Sequence, residues 1–428
     1  VTRVFWFLTF TLWLPIGFLL PVFVLTGVER GLDLGQIGVV FTAFGLTTVL
    51  LELPTGGLAD SFGRRPVLIT AALLQAVMAF VWFASDSFAL FVIGGVVGGV
   101  SRALSSGPLE AWYVDTTHRI DPDAPIRSGL AGAEAAGALS IALGSFSVTL
   151  ITFIPGIASD GAVISAIRLP PLLAAVAACI GAVAVAGLMS ELRPVDRSLR
   201  SAVVDGPVVV RRAFDVARRP GAIRLLLGAG VLMGLAFSAV ELFYQPVFRE
   251  MVDSTASATR LFGLLAFGLA FAAAVGSGIA SKVPEGGHIH PGQVGAVSLL
   301  LASLGIVGLS LSSSVLVGAA FFLGIYAISG FAHPFSQQIL HAGVSASERA
   351  TMLSGWSLSF QLGVLITGLG LAQIAERSDI PRALWIAAAS LVLASLLYLA
   401  IDRLRLIDDR AVVPSSSVQR SQETIRGD

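Results

Sequence analysis

Charge is what this 428-residue chain has least of: Asp, Glu, Lys and Arg make up 13% of it, against 55% hydrophobic residues. A chain this poor in polar side chains cannot clothe a water-facing surface, which excludes an ordinary soluble enzyme or binding domain. The 27 basic and 27 acidic residues cancel, so no surplus positive charge is available to hold nucleic acid. A single cysteine, Cys179, lies within an apolar run. It excludes an intramolecular disulfide and reads as a small packing or lipid-facing residue. Phosphate-binding loops, zinc-binding helices and nucleophile elbows are missing too. His288 and His290 sit in a Gly/Pro loop with no thiol or acid cluster nearby, a poor basis for a metal site. The expectation is a protein without cofactor, metal or enzymatic centre.

What the chain has in abundance is long apolar runs. No charged residue occurs from Val4 to Val28, and about 20 such residues suffice to cross a bilayer as a helix. Runs of this kind recur, predicting spans near Val4–Thr26, Ile37–Leu58, Pro66–Ser85, Phe88–Tyr113, Ser128–Phe153 and Ile167–Ser190. A second set follows near Ile223–Phe248, Leu261–Ser281, Gln293–Ser310, Val315–Leu340, Thr351–Ile374 and Ala383–Ile401. The first run is longer than the apolar part of a signal peptide and no small-residue cleavage site follows, so it is expected to stay as span 1. The fold class is therefore all-α, a polytopic membrane protein of twelve spans embedded in the lipid bilayer.

One long polar connection, Glu191 to Arg224, divides six spans from six. It carries Arg193, Arg197, Arg200, Arg211, Arg212, Arg218, Arg219 and Arg224. Positive charge beside span ends marks the cytoplasmic side. Counting alternately outward from this linker, 20 of the 27 basic residues fall on its side of the membrane, both termini included, and six on the opposite side. The expected organisation is a bundle over 1–190, a cytoplasmic linker over 191–222, a second bundle over 223–404 and a disordered cytoplasmic tail over 405–428. Six plus six spans about a central loop is the outline of membrane proteins made of two similar halves.

Between spans 2 and 3 the chain reads Gly57-Leu58-Ala59-Asp60-Ser61-Phe62-Gly63-Arg64-Arg65-Pro66. Reversing two helices within so few residues calls for glycine's backbone freedom at Gly63. Asp60 can accept from a helix N-terminus, and Arg64 and Arg65 can bind a lipid phosphate or a carboxylate on another span. This loop resembles the signature of the major facilitator superfamily, matched by Gly56, Asp60, Gly63, Arg64 and Arg65. The resemblance implies two six-helix bundles that rock about a central cavity in alternating access. It also implies a latch at the inner face, formed by the aspartate, the arginines and an acid at the end of span 4, either Asp115 or Glu110. The matching loop between spans 8 and 9, Gly278-Ile279-Ala280-Ser281-Lys282, replaces the acid with serine and lacks the arginine pair. Any such latch is therefore expected to be stronger in the first half.

A charge at the bilayer centre costs about 3 kcal/mol on insertion scales, so each one inside a span needs a partner or a wet cavity. Four stand there: Arg102 in span 4, Glu52 in span 2, Glu134 in span 5 and Glu241 in span 7. Arg102 is suited either to tuning a nearby carboxylate, Glu134 or Glu52, for proton coupling, or to a static ion pair. Glu241, with Tyr244 and Gln245, could line a cavity for a cationic or amphipathic compound or form part of an interfacial aromatic belt. His333 and Gln337 share one polar face of span 10. Pro15, Pro21, Pro108, the Pro170-Pro171 pair and Pro334 mark possible bends.

Within the superfamily the chain looks most like the twelve-helix drug-efflux branch, through Ser106-Gly107-Pro108-Leu109-Glu110-Ala111-Trp112 and Arg349-Ala350-Thr351. It departs from that branch in span 5, where Gly129, Gly132, Gly137 and Gly144 occur without a Gly-Pro pair. The leading expectation is proton-linked export of amphipathic small molecules. Import or facilitated diffusion of a metabolite by the same fold stands second, and a non-transporting receptor third, since the loops leave no room for a soluble domain. Orientation is open to direct test. In a Cys179→Ser background, Ser201→Cys is expected to react in intact cells only with a membrane-permeant maleimide; labelling by an impermeant one would place the linker outside.

Overall fold

The computed structural model describes residues 1–157, 165–190, 221–283, 290–341 and 349–412; within these, the side chains of 52–57, 60, 61, 341, 349–354, 402 and 405–412 fall outside the description. Among the described residues, twelve helices are long and apolar enough to cross a membrane. Span 1 runs Thr2–Leu19 and resumes, after an interruption at Leu20–Val22, as Phe23–Val28. Spans 2 and 3 are Leu34–Phe62 and Arg64–Ala84. Span 4 is two helices, Phe88–Ser105 and Pro108–Ile120; spans 5 and 6 are Arg127–Ile151 and Leu169–Leu188. Spans 7 to 10 are Ala222–Arg249, Thr255–Ala280, Pro291–Ser310 and Val315–His341. Span 11 begins as Arg349–Ile366, widens into a π-turn at Thr367–Leu371 and ends as Ala372–Arg377; span 12 is Ile380–Val412.

The interruptions have local causes. Gly63 between spans 2 and 3 has φ 96°, the left-handed region that the turn requires. In span 4, Gly107 has φ 92° and Pro108 opens the next helix, where its missing N–H costs nothing. Pro170 and Pro171 occupy the first turn of span 6, so they start that helix without bending it. The last helix continues to Val412, past the point where a disordered tail was expected. The rest of the tail and residues 191–220 of the linker lie outside the described residues.

Packing repeats between the halves. Span 1 lies against 5 and 6, span 2 against 4, and span 3 against 4 and 6; spans 7, 8 and 9 meet 11 and 12, 10, and 10 and 12 in the same pattern. Close approach at equivalent places makes the likeness concrete. A Cβ on Gly17 of span 1 would stand 2.7 Å from the carbonyl oxygen of Ile141 and 3.0 Å from the Cα of Gly144 in span 5. Its counterparts are tighter: on Gly234 of span 7 a Cβ would lie 2.0 Å from Phe360 O, and on Gly363 of span 11 only 2.1 Å from Val231 O. In lipid, where no hydrophobic force pulls helices together, this backbone contact is the source of affinity. Gly363→Leu is expected to cost about 2 kcal/mol or more through overpacking and to lower the melting temperature in detergent micelles; an unchanged melting temperature would contradict it.

Candidate functional site

Two faces are distinguished by the linker: the side where spans 6 and 7 meet it, and the far side. On the linker side of the first half, Arg64 pairs with Asp115 of span 4 at 2.6 Å. Arg65 donates to the carbonyl of Ala186 near the end of span 6. The double arginine thus ties span 3 to spans 4 and 6, and of the two acids considered, Asp115 takes Arg64. The side chains of Glu52, Gly57 and Asp60 lie outside the described residues. In the second half, Ser281 donates to its own helix at Gly278 O, 2.9 Å away.

Midway along span 4, the guanidinium of Arg102 lies 5.6 Å from the ring centroid of Trp13 in span 1, a cation–π contact. Glu110, on the second helix of the same span, stands within coulombic reach of both Arg102 and Glu134 of span 5. All three charged residues are exposed. Among the described residues no ion pair fixes Arg102 to either acid, so the cluster is open to its surroundings.

The far side is closed. Interruption of span 1 leaves the carbonyl of Leu20 and the N–H of Leu25 without helical partners. Gln245 of span 7 serves both: its Nε2 donates to Leu20 O at 3.0 Å, and its Oε1 accepts from Leu25 N–H at 2.8 Å. Tyr244 receives a hydrogen bond from Gln245 at 2.9 Å and stacks on Phe322 with centroids 4.8 Å apart. Farther out, Arg249 pairs with Glu29 at 2.9 Å, and Glu376 of span 11 accepts from the Leu34 N–H that begins span 2. Arg260 of span 8 donates to Thr152 of span 5 at 3.1 Å and lies 4.2 Å from the Phe153 ring. The bonds from Gln245 to span 1 and those of Arg249, Glu376 and Arg260 join one bundle to the other.

Arg30, in the same far-side layer, braces the first bundle alone. It donates to the carbonyls of Trp82 and Ser85 at the end of span 3, while Asp86 stands between Arg30 at 3.6 Å and Arg168 at 2.8 Å. Burial, and next the charge of Arg168, push the Arg30 pKa down to about 10, with Asp86 pulling it back. It remains charged at neutral pH.

Toward the linker side the second bundle holds a cavity of about 290 Å³. Glu241, His333 and Gln337 line it, with Gln337 Nε2 3.3 Å from His333 Nε2. Among the described residues no basic group pairs with Glu241. Tyr244 and Gln245, grouped with Glu241 on sequence grounds, are not in the lining: both are buried, and the amide of Gln245 is consumed by span 1. Sequence reasoning missed Tyr326, Trp356, Phe237 and Tyr398, all of which line the cavity. One signal was present, since Tyr326, Ser329, His333 and Gln337 recur on a single helical face of span 10. Among the described residues the buried hydroxyl of Tyr326 has no hydrogen-bond partner, whereas Tyr398 reaches Ser336 at 3.3 Å.

Comparison with known proteins agrees with this architecture. The sequence profile of the Major Facilitator Superfamily matches residues 5–340. The chain belongs to the major facilitator superfamily. Among curated relatives, the quinolone resistance protein NorA of Staphylococcus aureus is 27% identical over 101 residues, 24% of this chain and 26% of that protein. An uncharacterized MFS-type transporter of Methanocaldococcus jannaschii is 24% identical over 111 residues, 26% of this chain and 28% of its own length. The chain thus matches only about a quarter of each curated relative. Solved structures share the fold across nearly the whole chain. The nucleoside transporter NupG superposes with TM-score 0.74 at 13% identity, covering 94% of this chain and 98% of that one. An inward-open structure of the xylose transporter XylE from E. coli gives 0.69 at 13% identity, covering 94% and 96%.

The far-side seam yields a test. Gln245→Leu leaves the Leu25 N–H unpartnered and the Leu20 carbonyl with only the long 3.5 Å bond from the Tyr244 hydroxyl, a penalty of about 1–3 kcal/mol on the closed arrangement. Spin labels on Val28→Cys and Ser378→Cys, in a Cys179→Ser background, are expected to show a new, longer far-side distance in that variant; an unchanged distribution would deny Gln245 its role.

Proposed function

We propose that the protein is a secondary transporter that exports amphipathic organic cations by alternating access, drawing on the proton gradient. The observation that carries this reading is Glu241, a carboxylate without a basic partner among the described residues, in a cavity walled by Tyr326, Trp356, Phe237 and Phe360. An unpaired charge in such surroundings gains most from a ligand of opposite sign, and aromatic faces add attraction for a diffuse cation. Bundles joined at their far ends, with the Glu241 cavity reaching toward the linker side, support a state that loads from the linker face. The linker's arginines support assigning that face to the cytoplasm of a bacterial cell. The partial likeness to a quinolone resistance protein points the same way.

Proton coupling falls to the carboxylates around Arg102. Glu110 feels the charges of both Glu134 and Arg102, so binding a proton on this cluster changes the charge around Arg102, and Trp13 couples the change to span 1. Arg64, paired with Asp115, holds the linker-side face of the first bundle, where the inner latch acts.

Proteoliposomes with an imposed pH gradient test both parts. Wild type is expected to move tetraphenylphosphonium against its gradient when the proton gradient is present. Glu241→Gln is expected to weaken equilibrium binding of that cation by about tenfold or more, the loss of a single charge contact. Glu134→Gln is expected to bind it normally yet lose the response to pH. Equal affinity in wild type and Glu241→Gln removes Glu241 from the site, and movement indifferent to the proton gradient removes antiport.

A further inference from the structure

On the membrane-facing side of the second bundle, in its linker-side half, spans 8, 9 and 10 leave a groove of about 490 Å³. Its walls include Val275 and Ile279 of span 8, Val297 and Leu301 of span 9, and Phe331 of span 10. Val275, Ile279, Val297 and Leu301 are all exposed large hydrophobics, which in a membrane protein means that they face lipid chains. Gln293 and Ser298 are the two polar residues in the lining. Ser298 and Ile328 belong to this groove and to the Glu241 cavity alike. Ser298 of span 9 and Ile328 of span 10 thus stand between the two. Behind them span 9 is small: Gly295 lines the charged cavity, and a Cβ there would stand 2.4 Å from the Tyr398 ring.

We propose that this groove holds the apolar tail of a cationic amphiphile whose head lies at Glu241, the tail passing between spans 9 and 10 beside Ser298 and Ile328. The proposal rests on the reading of Glu241 as the cation anchor. Its physical basis is the contrast between the two compartments. A tail drawn into a water-filled cavity loses hydrocarbon surroundings methylene by methylene. A tail left in a groove open to lipid loses none of them, while the head exchanges the membrane interface for a carboxylate and aromatic faces. The substrate class is thus narrowed to cations with one extended alkyl tail, admitted sideways from the linker-side leaflet.

Photolabelling of the full chain in lipid nanodiscs tests this. The probe is dodecyltrimethylammonium carrying a diazirine at the end of its tail, with adducts mapped by mass spectrometry. Adducts are expected on span 8 to 10 peptides containing Val275, Val297, Leu301 or Phe331, and they are expected to fall at least about tenfold with excess tetraphenylphosphonium or in Glu241→Gln. Val297→Trp, which fills the groove, is expected to weaken binding of the long-tailed cation relative to tetramethylammonium by about tenfold, a ratio that a general folding defect leaves fixed. Groove adducts that resist competition report partitioning into bulk lipid and overturn the proposal; so do competed adducts confined to the inner cavity. If wild type fails to bind tetraphenylphosphonium at all, the anchor reading falls and the groove reading falls with it. Normal binding of that cation with uncompeted groove adducts sinks the groove alone.

Discussion

Where span 1 breaks at Leu20–Val22, its backbone is completed by a side chain from the other bundle. Inside a membrane an unmatched carbonyl or N–H has no water to turn to, so the broken helix depends on Gln245, which serves both groups, with the Tyr244 hydroxyl as a longer second donor to Leu20. That dependence makes the interruption a coupling element. Separation of the bundles on the far side exposes two backbone groups at once, and these groups are satisfied again only by water entering the gap or by span 1 straightening. The aromatic stack behind it, from Tyr244 through Phe322 to Tyr326, extends from this seam down to the wall of the Glu241 cavity. Seam and cavity therefore share a physical boundary.

The two halves repeat one packing plan yet hold themselves together differently. In the first, the linker face is pinned by Arg64 with Asp115 and by Arg65 with Ala186, and the far face by Arg30 and Arg168 around Asp86. In the second, among the described residues, close backbone contact at Gly234, Gly363 and Gly330 takes over from ionic ties. Charged groups thus tie helix ends of the first bundle at both faces. A bundle held by short-range contact around an open cavity keeps freedom for its helices to adjust around a ligand. The cavity with the unpaired carboxylate lies in the second kind.

Much of the fold was legible in the chain because bilayer thickness imposes run length. The spans, the glycine turn at Gly63 and the break at Pro108 all follow from local chemistry. Which face of each helix meets its neighbours was not legible, since lipid-facing and buried positions are equally apolar and leave no amphipathic stripe. For that reason Glu241, Tyr244 and Gln245 were read as one group, although four helical residues carry them from the cavity wall to the seam. Charged residues stood out more than aromatic ones: Arg102 and Glu134 were singled out by the cost of a charge within a span, while Trp356 and Tyr398 gave no sign of the cavity they line. The polar stripe on span 10 was visible in principle at Tyr326 and Ser329, but only the two stronger polar residues at its linker end were recognised.

The far-side closure is layered by depth. Its outermost ties, Arg249 with Glu29 and the Glu376 cap on span 2, involve partly exposed side chains, and pairs of that kind weaken as ionic strength rises. Gln245 and the aromatic ring stack beneath are sealed from mobile ions and carry no net charge. Salinity outside the membrane accordingly acts on the rim and leaves the inner bolt untouched, so the free energy of opening has one part that the medium sets and another that the polypeptide keeps for itself.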